Sequence, residues 1–191
     1  MKKSAIILIV IACILVFTLL WGVGTRNSMV SAYEDVQNKA AAIETQLQRR
    51  NDLIPNFVAT VQGYAAHEEE VYTAIADARA KLSGAIEKGD MASVSEANSE
   101  LDSALSRLLV VVENYPELKA NENFIALQDE LAGTENRIAK AREDYNDAVR
   151  SYNKKIKVFP DSIIANLGGF EAAAYFEAAE GAETVPVVSF S

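Results

Sequence analysis

The chain has 191 residues, half of them hydrophobic, with 18 basic against 27 acidic residues and a formal charge of −9. So acidic a chain is repelled by phosphate, which argues against nucleic acid as a partner. One cysteine and one histidine exclude an intramolecular disulfide and a cysteine metal cluster, and leave any histidine site to His67 alone.

The first element is an unbroken apolar run of 19 residues, Ala5 to Val23, with no charge. As a helix it covers about 28 Å, close to the roughly 30 Å core of a bilayer. Lys2 and Lys3 would suit a cleaved signal, but the run is long and no clean small-x-small cleavage site follows it. A lipoprotein signal is the alternative, since Val10-Ile11-Ala12-Cys13 fits a loose lipobox and would make Cys13 a lipidation site. The chain stays apolar beyond Cys13, which favours an uncleaved single-pass helix over residues 1–26 as the membrane contact. Lys2 and Lys3 on the short side, against Arg26 alone on the other, place the N-terminus in the cytoplasm and the domain outside. Beyond residue 26 the chain holds 15 basic and 27 acidic residues, a charge of −12, so the body is expected to stand off anionic lipid.

Residues 27–159 read as helix throughout. Ser31-x-x-Glu34 is a capping box that predicts a helix starting or restarting there. Tyr33, Val36, Ala40, Ile43, Leu47, Ile54, Val58 and Val61 form its apolar stripe. Pro55 interrupts this helix and predicts a kink near Asp52. A turn is expected at His67, because one straight helix from Ser31 to Lys88 would leave much of its stripe without a partner. The acidic triplet Glu68-Glu69-Glu70 then opens a second helix, with Val71, Ile75, Ala78, Leu82 and Ile86 facing inward. After the turn Lys88-Gly89-Asp90, a second capping box, Ser93-x-x-Glu96, predicts a third helix along Ala97, Leu101, Leu105, Leu108 and Val112. Asn114-Tyr115-Pro116 ends it. The fourth helix runs Leu127, Leu131, Thr134, Ile138, Ala141, Tyr145, Ala148, Tyr152, Ile156, in the alternating steps of a coiled-coil seam, until Phe159-Pro160. Four such helices with short connections make an all-α, antiparallel up-and-down bundle behind an N-terminal transmembrane helix.

Residues 160–191 read as an irregular tail packed on the bundle base. The fourth helix returns toward the membrane, so Ile163, Ile164, Phe170, Tyr175 and Phe176 either touch the lipid interface or plug that base. The extended apolar end, Val185 to Phe190, either pairs with a partner strand or lies along its own domain.

Three blocks carry a family resemblance. One is Gln46-Leu47-Gln48-Arg49-Arg50-Asn51-Asp52-Leu53-Ile54-Pro55-Asn56-Phe57-Val58, continuing through Gly63-Tyr64 and His67-Glu68. Another is Tyr115-Pro116-x-Leu118-Lys119-Ala120 with Phe124, then Leu131-x-x-Thr134-Glu135-x-x-Ile138 and Arg142-x-x-Tyr145-Asn146. The last is Tyr152-Asn153 to Phe159-Pro160, with Gly169-Phe170 and Tyr175-Phe176. Together they resemble the LemA family over essentially the whole domain, departing at Phe57, where leucine is commoner. The resemblance implies a bacterial single-pass membrane protein with an antiparallel helical bundle and no known catalysis. It also implies a short N-terminus on the outer face, the reverse of the charge-based orientation.

Candidate chemistry is sparse. His67 has no His-Glu-x-x-His context and suits a helix start. Arg49, Arg50 and Asp52 are the candidate partner-docking residues. The structural alternative is an ion pair within the bundle, to Asp52, Glu135 or Asp144. Glu135, Asn136, Arg137, Arg142 and Asn146 lie on or near the fourth helix's seam, where polar groups fix register. A di-metal bundle site would need Glu-x-x-His pairs, and the chain has no Gly-rich phosphate loop and no G-x-S-x-G. The sequence therefore predicts no catalytic, cofactor or metal residue. It predicts a non-enzymatic interaction or scaffold module for a protein partner in the membrane or envelope. A membrane-tethered sensor binding a small ligand in its bundle is the alternative.

Overall fold

The computed structural model describes residues 3–176, with side chains from Ile6 onward. Among these residues there are six helices and no strand: α1 (Lys3–Gln62), α2 (Glu69–Lys88), α3 (Met91–Val112), α4 (Pro116–Lys119), α5 (Glu122–Lys157) and α6 (Asp161–Gly168). They form two compact units, residues 3–39 with 146–173, and residues 40–145 with 174–176. Both α1 and α5 contribute a stretch to each.

Helix α1 corrects one expectation. Ser31 starts nothing, because the chain before it is already helical and the backbone N–H groups a capping box would satisfy are bonded within the helix. Pro55 sits inside α1 and does not end it. The proline removes one backbone hydrogen bond, yet the buried residues Ile54, Phe57 and Val61 continue the inward stripe past it.

The second unit is the antiparallel bundle. Ile43, Leu47, Ile54 and Phe57 of α1 are buried there, with Ile75 and Leu82 of α2, Leu101 and Leu108 of α3, and Phe124 and Ile138 of α5. Each side chain of this size is worth about 1.5–3 kcal/mol when fully withdrawn from water. The pairing of α1 with α5 is read directly from contacts: the Phe57 ring stacks on Phe124 at 5.1 Å, Arg49 faces Glu130, and Gln46 faces Arg137. Positions fall along one helix as they rise along the other, so the two are antiparallel.

The turn expected near His67 is present, and α2 starts at Glu69. Gly89 closes α2 in the left-handed conformation, φ 68°, which a side chain would resist. The cap of α3 is Asp90 and not Ser93: its carboxylate accepts from the Ala92 and Ser93 backbone N–H groups and from the Ser93 hydroxyl. These hydrogen bonds hold the Asp90 carboxyl below its ordinary value of 3.8. A carboxyl lowered by folding contributes stability above its unfolded pKa and loses it as pH falls through the folded one. Asp90→Ala should therefore lower the melting temperature at neutral pH and narrow its gap to the wild type below pH 3.8. An unchanged gap in an acid melting series would refute the cap's ionic role.

In the first unit, Met29, Val36, Tyr152 and Ile156 are buried, and the Tyr33 and Tyr152 rings lie 5.5 Å apart. Residues 161–168, expected to be irregular, form α6. Gly169 ends it with φ 69°, and Phe170 folds back over Gly168, where a Cβ would lie 2.8 Å from the ring. The apolar end Val185 to Phe190 lies outside the described residues.

Candidate functional site

Successive helical positions point about 100° apart, so Arg49, Arg50 and Asn51 address three different neighbours. Arg49 stays at the surface, 57% exposed, with Nη2 at 2.5 Å from Glu130 Oε1 on α5. Asn51 is buried against α2: its Oδ1 accepts from Arg79 Nε at 3.0 Å and its Nδ2 donates to Ser83 Oγ at 2.9 Å. Asp52 is exposed and accepts from Gln48 one turn back at 3.1 Å.

Arg50 points inward and is only 6% exposed. Its Nη2 lies 2.5 Å from Asp102 Oδ1 on α3, and its Nη1 lies 3.0 Å from Glu135 Oε2 on α5. Nη1 also donates to Asn98 Oδ1 at 3.0 Å, and Asn98 Nδ2 donates onward to Asp102 Oδ2 at 2.9 Å. The Glu135 contact is an ion pair without hydrogen-bond geometry, since Oε2 has no hydrogen-bond partner. One guanidinium thus ties three helices at one level. Of the partners expected from sequence, Glu135 is used. Asp52 is turned to Gln48, and Asp144 pairs with Lys140 at 2.9 Å. Asp102 and Asn98 were not anticipated. Their only sequence signal is an i, i+4 Asn–Asp pair beside the apolar stripe of α3.

On the α1–α5 face, Glu130 serves two cations. Arg137 Nη2 lies 3.1 Å from the same Oε1 that Arg49 holds, donates to Thr134 Oγ1 at 2.9 Å, and its Nε donates to Gln46 at 3.2 Å. Two guanidiniums on one carboxylate leave this exposed cluster with one net positive charge. His67 is exposed in the turn after α1. Among the described residues no three His, Cys, Asp or Glu side chains gather as metal ligands would.

The apolar candidates scatter. Ile163 and Tyr175 are exposed, and Ile164 and Phe170 are half-buried. Phe176 is buried in the second unit, with the Arg142 guanidinium 4.8 Å above its ring. Among the described residues Arg142 Nε and Nη2 have no hydrogen-bond partner.

Residues 39–190 match the profile of the LemA family. This chain belongs to the LemA family. It is 30% identical over 186 residues to magnetosome protein MamQ 2 of Paramagnetospirillum magneticum, covering 85% of this chain and 68% of that protein. It is 27% identical over 186 residues to MamQ of Magnetospirillum gryphiswaldense, with the same shares. Protein LemA of Metamycoplasma hominis is 28% identical over 179 residues, covering 94% of this chain and 80% of that protein.

The LemA-like blocks outside α1 have physical tasks as well. Tyr115-Pro116 opens α4, with Pro116 at a first-turn position that needs no N–H, and Leu118 is buried. Asn121 caps α5, its Oδ1 accepting from the N–H groups of Asn123 and Phe124, while its Nδ2 donates to the Tyr64 hydroxyl at 3.0 Å. In the first unit Asn153 acts as a peptide mimic. Its Nδ2 donates to the Ala173 carbonyl and its Oδ1 accepts from the Ala173 N–H, both at 2.9 Å. The Tyr152 hydroxyl donates to the Glu171 carbonyl at 2.8 Å. Asn153→Ala leaves both Ala173 groups without partners, so a loss of about 1–3 kcal/mol is expected. Amide exchange confined to residues 171–173 should speed up, and unchanged exchange there would show that the tether is redundant.

Proposed function

We propose that this LemA-family protein is a non-enzymatic, membrane-held scaffold whose bundle recruits another membrane or envelope protein. The membrane contact is α1: it is the one helix among the described residues long and apolar enough to cross a bilayer, and none of its most apolar window is buried against the rest of the chain. The charge asymmetry of Lys2 and Lys3 against Arg26 favours a bundle outside the cytoplasm.

The observation that carries the docking surface is the shared carboxylate of Glu130. Arg49 and Arg137 both lean on it from exposed positions, so a partner carboxylate can complete a bidentate pair with either at little desolvation cost. Arg50, enclosed by its own acids, is unsuited to that task. The test is in-cell crosslinking of the full-length protein beside Arg49→Glu. A discrete partner captured by the wild type and lost by a folded Arg49→Glu is expected. Equal capture by Arg49→Glu and by Arg137→Glu would rule this surface out.

A further inference from the structure

Helix α6 flanks α1 where the apolar run ends. A Cβ built on Gly22 would lie 3.4 Å from Ile164 Cδ1, and Gly22 is the last residue but one of the run Ala5 to Val23. If that run fills the hydrocarbon core, Gly22 sits at its edge, within the headgroup boundary. Ala165 of α6 is buried. The other side of the segment is not: Leu167 is 81% exposed, Phe159 77% and Ile163 48%. Ile163 and Leu167 are four apart and share a helix face. Such large apolar groups left open at one level of the protein need an apolar or amphiphilic cover.

Charge indicates which cover. The whole chain is acidic, but this end is not. Arg26 follows the run by one turn, and Lys154, Lys155 and Lys157 close α5. Lys155 donates to the Ser28 carbonyl at 3.3 Å, which brings the end of α5 to the height of residues 26–28 on α1. Between residues 150 and 170 the sole acid is Asp161, and residues 1–33 contain none. An apolar face beside the end of a membrane span, ringed by lysine and arginine, is the pattern of a helix lying in the lipid interface. A protein cover would not require the cations to sit at the same level.

We propose that α6 is an interfacial helix. Phe159, Ile163 and Leu167 lie in the headgroup–acyl boundary of the leaflet next to the domain, and Arg26, Lys154 and Lys157 meet the phosphates of anionic phospholipid. Local positive charge thus overrides the repulsion expected from the body's net charge, because screening limits that repulsion to about 8–10 Å. The inference rests on α1 as the membrane span, and the test keeps the two separable.

The full chain with Cys13→Ser, in single-copy nanodiscs of one-third phosphatidylglycerol and two-thirds phosphatidylcholine, would carry a nitroxide at one of four cysteine replacements. These are Leu15 in the span, Ile163 and Leu167 in α6, and Glu87 as the aqueous reference. All four side chains are exposed, so the labels leave the core intact. Collision rates with oxygen and with a water-soluble nickel chelate report depth. Leu167 and Ile163 should favour oxygen over nickel several-fold relative to Glu87, as Leu15 does. Nickel access at Leu167 equal to that at Glu87, with Leu15 still protected, would overturn the α6 proposal while sparing the span. Protection from both reagents at Leu167 would also overturn it, by showing a protein cover. Finally, the contrast at Leu167 should shrink in pure phosphatidylcholine, and Lys154→Glu with Lys157→Glu should abolish that lipid dependence. Equal depth in both lipids would overturn the headgroup contacts.

Discussion

Arg50→Ala should destabilise the bundle by about 3 kcal/mol, the lower end of what removing one partner from a buried ion pair costs. The lower end applies because the carboxylates it leaves behind are not sealed off: Asp102 is 35% exposed and Glu135 41%, so water can resolvate them in part. Asn98 loses a donor as well. Arg50→Lys should fall between, because an ammonium keeps the charge but cannot reach α3 and α5 in one planar fork. Arg49→Ala should cost no more than about 1 kcal/mol, since its pair with Glu130 is solvated. Urea unfolding of the full chain in detergent, followed by circular dichroism, would check all three. If Arg50→Ala unfolds at the wild-type midpoint, the cluster contributes nothing to stability. The ordering Arg50 over Arg49 also determines how the docking surface can be tested. A double replacement of both arginines would confuse lost folding with lost recruitment, whereas Arg49 alone separates them.

Residues whose task depends on period were legible in the sequence. Ile43, Leu47, Leu101, Leu108, Ile138 and Tyr152 repeat at three and four and are all buried, because one helix face can satisfy them only by packing. Residues whose task depends on a neighbour in another helix were legible only in part: Glu135 was among the expected partners, Asp102 and Asn98 were not. Arg49 and Arg50 look alike in sequence, yet a 100° step sends one to solvent and the other to Asp102, some fifty positions away. The capping boxes failed for a related reason. Ser31-x-x-Glu34 is a start signal only where the preceding chain is not helical, and the apolar run before it is helical in its own right. At Ser93-x-x-Glu96 the signal was correct in kind but displaced, since Gly89 ends α2 and hands the cap to Asp90. Helix α6 was missed because eight residues are too few to show a period.

Phe57→Ala should be among the most damaging single replacements, at about 3–5 kcal/mol, because it removes a buried ring and leaves a cavity that the neighbouring helices cannot fully close. Phe57 is 2% exposed, as is its stacking partner Phe124, and the two rings lie 24° from parallel. Phe57→Leu is the informative control, because it removes the ring and keeps an apolar side chain. It keeps most of the volume and loses the ring pair, itself worth about 0.5–1.5 kcal/mol beyond burial. The pair also sits at a strategic point. Phe124 is in the first turn of α5, and its N–H is already held by Asn121. The ring contact therefore clamps the start of α5 to α1, about two helical turns along α1 from Arg50. A double-mutant cycle of Phe57→Leu and Phe124→Leu should give a coupling of about 1 kcal/mol if the stack acts as a clamp. Additive losses would mean that the rings contribute by burial alone, and that the register of α5 against α1 is set by Arg50 and the Glu130 cluster instead.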